Sequence, residues 1–266
     1  MDHPIAAWDP GQYLRFAGDR ARPFADLMAR VAVRDVRSVV DLGCGPGNLT
    51  AALAARWPDA EVTGVDSSAE MIAAAEADRP PGTPARLRYV LADLRTWEPP
   101  APVSVLVSNA TLHWVPGHVE LLGRFAGWLD EGGALAVQVP ANFDQPTHAE
   151  ITALRRSPRW RDRLGAALPA GEPASAEPET YLDALARLEL RVDAWSTTYC
   201  HVLTGPDSVL EWVKGSVLRP VLARLGDDEQ DQFCTELGAR LRAAYPPAPY
   251  GTVLPFRRVF VVAHRP

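Results

Sequence analysis

Three carboxylates, Asp41, Asp66 and Asp93, stand at or beside the ends of short apolar runs, and the first precedes the string Gly43-Cys44-Gly45-Pro46-Gly47. Glycine is required where a backbone takes positive φ or where a ligand must lie directly against it, so this string describes a bend that something flat or bulky approaches. A carboxylate at position 66 can accept two hydrogen bonds from the vicinal hydroxyls of a ribose. A nucleoside satisfies both requirements, and so does a dinucleotide. The dinucleotide fingerprint G-x-G-x-x-G, however, has Asn48 where its third glycine belongs.

The elements that must position these residues follow from the alternation of apolar runs with segments of helical period between Ser38 and Pro140. SVVDL, EVTGV, RLRYVLA, VSVLVS and GALAVQVP read as five strands. Leu49, Ala52, Leu53 and Trp57 mark a helix that Pro58 ends, and the spacing of Ser67 and Glu70 predicts a capping box opening a helix through Met71, Ile72 and Ala75. Farther on, LRVDAWSTTYCHVL and FRRVFVVAHR read as an antiparallel pair at the far edge of the same sheet, and LPAGEPASAEPE as a surface loop. DSVLEWVKGSVLRPVLARL and DEQDQFCTELGARLRAAY read as helices inserted between the last two strands. The expected class is α/β: a doubly wound, Rossmann-like, mixed seven-stranded sheet with an inserted helical cap. The cofactor core with an amino-terminal lid takes residues 1–145, cap insertions take 146–180 and 205–245, and a final helix and the closing strands take 181–204 and 246–266.

A chain of 266 residues with net charge −6 is poorly suited to neutralising nucleic-acid phosphates, so no nucleic-acid partner is expected. Cys44, Cys200 and Cys234 lack metal-ligand spacing and suit reduced thiols, which points to a cytoplasmic protein with no metal site. No run approaches the roughly 20 apolar residues that span a bilayer, so no membrane partner is expected either.

Taken in order and spacing, DLGCGPG, Asp66, the LAD that ends in Asp93, and SNATLHWV resemble the motifs of class I S-adenosylmethionine (SAM) dependent methyltransferases. The resemblance implies SAM as cofactor and S-adenosylhomocysteine as product. It gives Asp66 the ribose, Asp93 the adenine amino group, and Asp41 the glycine turn and the amino-acid end. Gly43, Gly45, Gly47, Ser67, Leu94 and Asn109 complete that site. Beyond these motifs, WDPGQYLRFAGDRARPFADLMARV, NATLHWVPGHVELL, TTYCHVL, VLRPVL and RRVFVVAHR resemble the trans-aconitate 2-methyltransferase family over nearly the whole chain. RRSPRWRDRLGAALPAGEPASAEPE departs from that pattern. The family esterifies one carboxylate of trans-aconitate, so the implied partner is a small-molecule carboxylate; no oligomeric state is implied.

A carboxylate is already ionised at neutral pH, its ordinary pKa lying near ~4, so transfer to it calls for alignment and exclusion of water rather than a strong base. His113, after the fourth strand, is placed to hydrogen-bond the reacting carboxylate, with Trp114 beside it. Arg20 and Arg22, with Tyr13, lie on the amino-terminal segment, where an arginine fork could grip a carboxylate. Tyr199 and His201, two apart on a strand, share a face, and Trp212 and Arg219 on the cap complete the acceptor set. Each also has a purely structural reading, as sheet packing or a solvated helix face. Arg155, Arg156, Arg159, Arg161 and Arg163 read as solvated surface. Three other functions stay open on the residues alone: methyl transfer to a hydroxyl or carbon acceptor, for which His113 would be an essential base, NAD-dependent oxidoreduction, and SAM binding without catalysis.

Overall fold

The computed structural model describes residues 17–79, 86–165, 175–215 and 217–266. Two compact units are threaded from interleaved stretches, one from Gly18–Pro140, Ser175–Thr197 and Arg258–Pro266, the other from Met1–Ala17, Ala141–Ala174 and Thr198–Arg257.

The first unit holds the sheet. β1 (Ser38–Leu42), β2 (Glu61–Asp66), β3 (Leu87–Leu91), β4 (Val103–Asn109) and β5 (Leu129–Pro140) are parallel, and the order is β3-β2-β1-β4-β5-β7-β6. β7 (Thr252–His264) pairs antiparallel with β5, and β6 (Arg191–Leu203) lies at the edge beyond it. The seven-stranded mixed sheet expected from the sequence is therefore present. Residues 198–203 of β6 and 252–257 of β7 fall in the second unit. Every residue of β4 from Val103 to Ser108 is buried, as a strand covered on both faces requires, and this is why its segment is mainly apolar, with the buried Ser104 and Ser108 as its polar members. Strand order, not strand direction, reverses between β1 and β4, and in doubly wound sheets the crevice for a ligand opens beyond the carboxyl ends of the strands at that point.

In chain order the helices are α1 (Ala17–Met28), α2 (Asn48–Arg56), α3 (Ala69–Ala77), α4 (His118–Gly127), α5 (Pro146–Arg155), α6 (Pro178–Ala186), α7 (Ser208–Lys214), α8 (Arg219–Leu222) and α9 (Asp227–Ala244). The cap of α3 is displaced by one residue from the expected box. Ser68, not Ser67, is the N-cap; its Oγ accepts from the Met71 amide at 3.2 Å, while Glu70 receives the Ser68 hydroxyl at 2.8 Å. A serine pair offers two hydroxyls for one helix start, and the strand's exit selects the second. Helices α4 and α6 are joined by a buried pair, His118 Nε2 to Tyr181 Oη at 2.7 Å. The Pro/Ala-rich stretch read as a loop lies mainly outside the described residues, but its end, from Pro178, starts α6 with proline at the favourable first turn.

The second unit is built around Trp160, Trp212, Leu218, Phe233, Leu237 and Leu241. The helical segment expected over residues 207–225 forms α7 and α8. Helix α9 matches the expected helix to within a residue, and Asp227, Asp228 and Glu229 in its first turn suit the positive end of the helix dipole. Arg159 bonds Glu236 at 2.5 Å, and Arg163 bonds Glu229 at 3.1 Å, so two members of the arginine cluster lie along the acidic side of α9. Arg155 differs from the rest: it is buried, and its side chain donates to the Leu164 carbonyl at 3.3 Å.

Candidate active site

The three glycines of the turn after β1 all have left-handed φ, +75° at Gly43, +54° at Gly45 and +79° at Gly47, but they are bare for different reasons. A Cβ on Gly43 would stand 2.1 Å from Thr111 Cγ2, and one on Gly47 would stand 2.5 Å from the Tyr89 hydroxyl. Those two glycines are demanded by the protein's own packing. A Cβ on Gly45 would meet nothing within 4 Å among the described residues. Gly45 therefore presents its main chain to open space, the condition for close approach of a ligand. Backbone bonds from Gly43 and Cys44 to the Val65 carbonyl, at 2.7 and 3.1 Å, fasten the turn to the end of β2. Among the described residues no side chain caps the start of α2 behind it, where Gly47 is the N-cap.

The carboxylates around this turn are fixed before any ligand enters. Asp66 accepts the Gly45 amide at 2.9 Å on one oxygen and the Ser68 amide at 2.9 Å on the other, which orients the carboxylate beside the bare glycine. Asp41 is buried and accepts the Thr50 hydroxyl at 2.7 Å; burial first, with Asp66 adding to it against the Thr50 bond, pushes its pKa up to about 6. Burial beside Asp41 and Asp66 also keeps the Cys44 thiol protonated. Asp93 is held by Arg95, Nε to Oδ2 at 2.9 Å, and this bond holds its carboxyl below the usual range. Both partners are substantially exposed, so that pair is worth little and is easily exchanged. Leu94 is buried, with its carbonyl bonded by Arg124 at 2.6 Å, and Ser67 is exposed.

At the end of β4 the chain passes through Asn109 and then Ala110, whose φ of +54° is unusual for a residue with a side chain. Asn109 Oδ1 is buried and has no hydrogen-bond partner among the described residues. Thr111 donates its hydroxyl to the Gly43 carbonyl at 3.1 Å, locking this loop onto the glycine turn. A single 3-10 turn follows, Leu112–Trp114, anchored by the wholly buried Leu112. It carries His113, half-buried, with its ring 4.8 Å from that of Trp114, which is 51% exposed.

The remaining candidates lie elsewhere. Tyr199, His201 and Trp212 come together in the second unit, all buried, with His201 and Trp212 ring centres 4.8 Å apart and Phe256 5.8 Å from Trp212. Arg219, half-buried, begins α8 in the same unit. Arg22 is exposed on α1, Arg20 lies within that helix, and Tyr13 lies outside the described residues.

A bare, left-handed glycine, an oriented carboxylate beside it and an unsatisfied buried acceptor at the next strand fit a nucleoside that carries hydroxyls and a cationic end. Residues 39–133 match the methyltransferase domain family. Across its full length the chain is 51% identical to a trans-aconitate 2-methyltransferase of Streptomyces avermitilis, covering 99% of that protein. It is also 50% identical to the one of Streptomyces coelicolor, covering 100% of this chain and 89% of that one. The chain belongs to the trans-aconitate 2-methyltransferase family. Likeness extends to the Mycobacterium tuberculosis member, 48% identical over 96% of each chain. Among solved structures, YcgJ of Bacillus subtilis aligns with TM-score 0.57 at 14% identity, over 92% of this chain and 98% of that one. Coclaurine N-methyltransferase aligns with TM-score 0.54 at 17% identity, over 91% and 72%. These last two share the fold.

A member of the trans-aconitate 2-methyltransferase family is a SAM-dependent methyltransferase, which sets aside the oxidoreductase reading. Sequence reasoning missed several groups that hold its site: Thr50 under Asp41, Tyr89 under Gly47, Thr111 against Gly43, and Gln138 and Arg258 on β5 and β7. Tyr89 donates to the Gly47 carbonyl at 3.2 Å, and burial pushes its pKa up to about 12. One signal was available, since Gln138 is a lone amide in the apolar run GALAVQVP.

Proposed function

We propose that the chain transfers a methyl group from SAM to one carboxylate of trans-aconitate, or of a closely similar small polycarboxylate, giving the monomethyl ester. The observation that carries this reading is half-identity to proteins named trans-aconitate 2-methyltransferase along the whole chain, cap segments included. Gly45 would lie against SAM, which when bound would supply an electrophilic methyl carbon to the acceptor oxygen, the carbon–sulfur bonding pair staying with sulfur to give S-adenosylhomocysteine. Asp66 holds the ribose hydroxyls, and Asp93 exchanges Arg95 for the adenine amino group, with Ser67 and Leu94 flanking it. Gly43 and Gly47 keep the turn compact. Asp41, through Thr50, steadies α2 and adds negative charge toward the cationic amino-acid end, and the unsatisfied Oδ1 of Asn109 is assigned to the same end. His113 donates a hydrogen bond to the reacting carboxylate, and Trp114 shields it from water. Tyr13, Arg20, Arg22, Tyr199, His201, Trp212 and Arg219 are assigned to the acceptor. The core is assigned to residues 1–145, acceptor selection to the insertions 146–180 and 205–245, and closure of the sheet to 181–204 and 246–266.

No helix among the described residues is long and apolar enough to cross a membrane. Three cysteines without a disulfide agree with a cytoplasmic setting and a small-molecule partner, with neither nucleic acid nor membrane required. The test is transfer of labelled methyl to cis-aconitate, trans-aconitate, citrate and isocitrate, with trans-aconitate expected to give the highest kcat/KM. Labelling of phenols or lipids alone would overturn the acceptor. His113→Ala is expected to lower kcat about tenfold, the loss of one charge-assisted hydrogen bond. Near-complete loss would instead favour a hydroxyl or carbon acceptor that needs a base.

A further inference from the structure

We infer that Gln138 binds a carboxylate of the acceptor through its side-chain amide, oriented for that purpose by Arg258. The inference rests on the proposed polycarboxylate acceptor and adds the group that recognises it.

Gln138 is 0% exposed in the last turn of the pleat of β5, among Ala134, Leu135, Ala136, Val137 and Val139, where the core needs no polar group. Its Oε1 accepts from Arg258 Nη1 at 3.1 Å. A guanidinium can only donate, so the amide oxygen must face Arg258 and the amide nitrogen must point away from it. That nitrogen, Nε2, is buried and has no hydrogen-bond partner among the described residues. A buried donor left unsatisfied opposes folding, and such groups in native proteins call for an explanation. Arg258, 5% exposed on β7, fixes which end of the amide is left over.

Position decides what the leftover donor is for. Gln138 is the cross-strand partner of Asn109, so both side chains leave the same face of the sheet at the carboxyl ends of β4 and β5. The Ala110 amide bonds the Gln138 carbonyl at 2.9 Å, tying that register to the left-handed residue that leads to His113. The groups assigned to the cofactor lie on β1, β2 and β3 and reach β4 only at Asn109. Gln138 lies two strand spacings from the glycine turn's strand, about 10 Å, on the side opposite β2. A nucleoside laid across β1 to β3 therefore leaves β5 to the acceptor. Asn109 offers an unsatisfied acceptor toward the cationic cofactor, and Gln138 an unsatisfied donor toward an anion.

The test is steady-state kinetics of the full-length enzyme with trans-aconitate, alongside the rise in Tm that SAM induces. For Gln138→Leu, KM for trans-aconitate should rise about tenfold, with kcat changed less and the SAM-induced rise in Tm unaltered. Gln138→Glu, which replaces the donor with a negative charge while still offering an oxygen to Arg258, should raise that KM further. If either variant unfolds, the other carries the comparison, and Gln138→Met serves as a second apolar control. Arg258→Met should raise the same KM, but should add little in the Gln138→Leu background; additive effects would remove its positioning role. Wild-type KM for trans-aconitate in folded Gln138→Leu and Gln138→Glu would overturn the inference, as would a rise confined to KM for SAM. In both cases wild-type turnover of trans-aconitate would leave the proposed function standing. A wild-type enzyme that methylates no polycarboxylate would overturn both together.

Discussion

The turn after β1 and the aromatic cluster of the second unit are both dense, polar-edged assemblies, yet they are encoded in opposite ways. The turn takes Asp41, Gly43, Gly45, Gly47 and Thr50 from one stretch of ten residues, with Asp66 one strand away. The cluster collects Tyr199, His201, Trp212 and Phe256 from two strands and a helix, and each of its members is an ordinary core residue when taken alone. Local encoding lets spacing announce chemistry. Dispersed encoding leaves only side-chain types, and packing looks the same as binding.

Substitutions can break or sharpen that contrast. The largest effect is expected from Trp212→Ala, which should cost about 3–5 kcal/mol of stability by opening a cavity in the second unit, read from chemical denaturation. Should stability hold while KM for the acceptor rises, the cluster would be a pocket wall and not a core. Next is Gly43→Ala. Its new Cβ meets Thr111 and keeps a left-handed φ, so about 3 kcal/mol of stability should be lost.

Asp41→Asn should act in the opposite direction. The native carboxyl's pKa is raised from 3.8 to about 6, so the folded state holds its proton more tightly than the unfolded one. Its charge therefore costs stability above pH 6, and that cost fades as pH falls through 6 toward 3.8. The amide removes this cost and still accepts from Thr50; stability at pH 7 should rise by up to about 3 kcal/mol, with little gain at pH 4. Affinity for SAM, followed by calorimetry, should fall in the same variant. The smallest change in stability, about 1 kcal/mol, is expected for Gly45→Ala, which adds strain in φ but no clash. Its effect should appear instead as a diminished SAM-induced rise in Tm, separating the ligand-facing glycine from the packing-facing one.

Sequence alone delivered the strands and their order of use because buried parallel strands are continuous apolar runs whose ends are punctuated by turn residues. It also delivered the acids that surround the turn. It placed the α3 cap at Ser67 because adjacent serines carry the same signal, and it gave no break within 207–225 because periodicity alone does not register the one around Gly215. The supports of the site escaped for another reason. Thr111 and Tyr89 matter through the tertiary approach of distant segments to Gly43 and Gly47, 68 and 42 residues away in sequence. Neither residue type is unusual where it stands.

The His118–Tyr181 pair has a polarity that runs one way. His118 Nδ1 lies 3.2 Å from the Val115 carbonyl, which can only accept, so the ring proton sits there and Nε2 receives the tyrosine proton. Tyr181 in turn accepts the Ala176 amide at 3.2 Å, so donors and acceptors alternate from one helix to the other. Burial holds the His118 pKa below its ordinary value, and the stability this neutral ring supplies is present above about pH 6.5 and lost as pH falls below it. A second ring proton would set two donors against each other. The relay is in effect a one-way latch between α4 and α6, and acid should loosen that latch before the parallel strands yield.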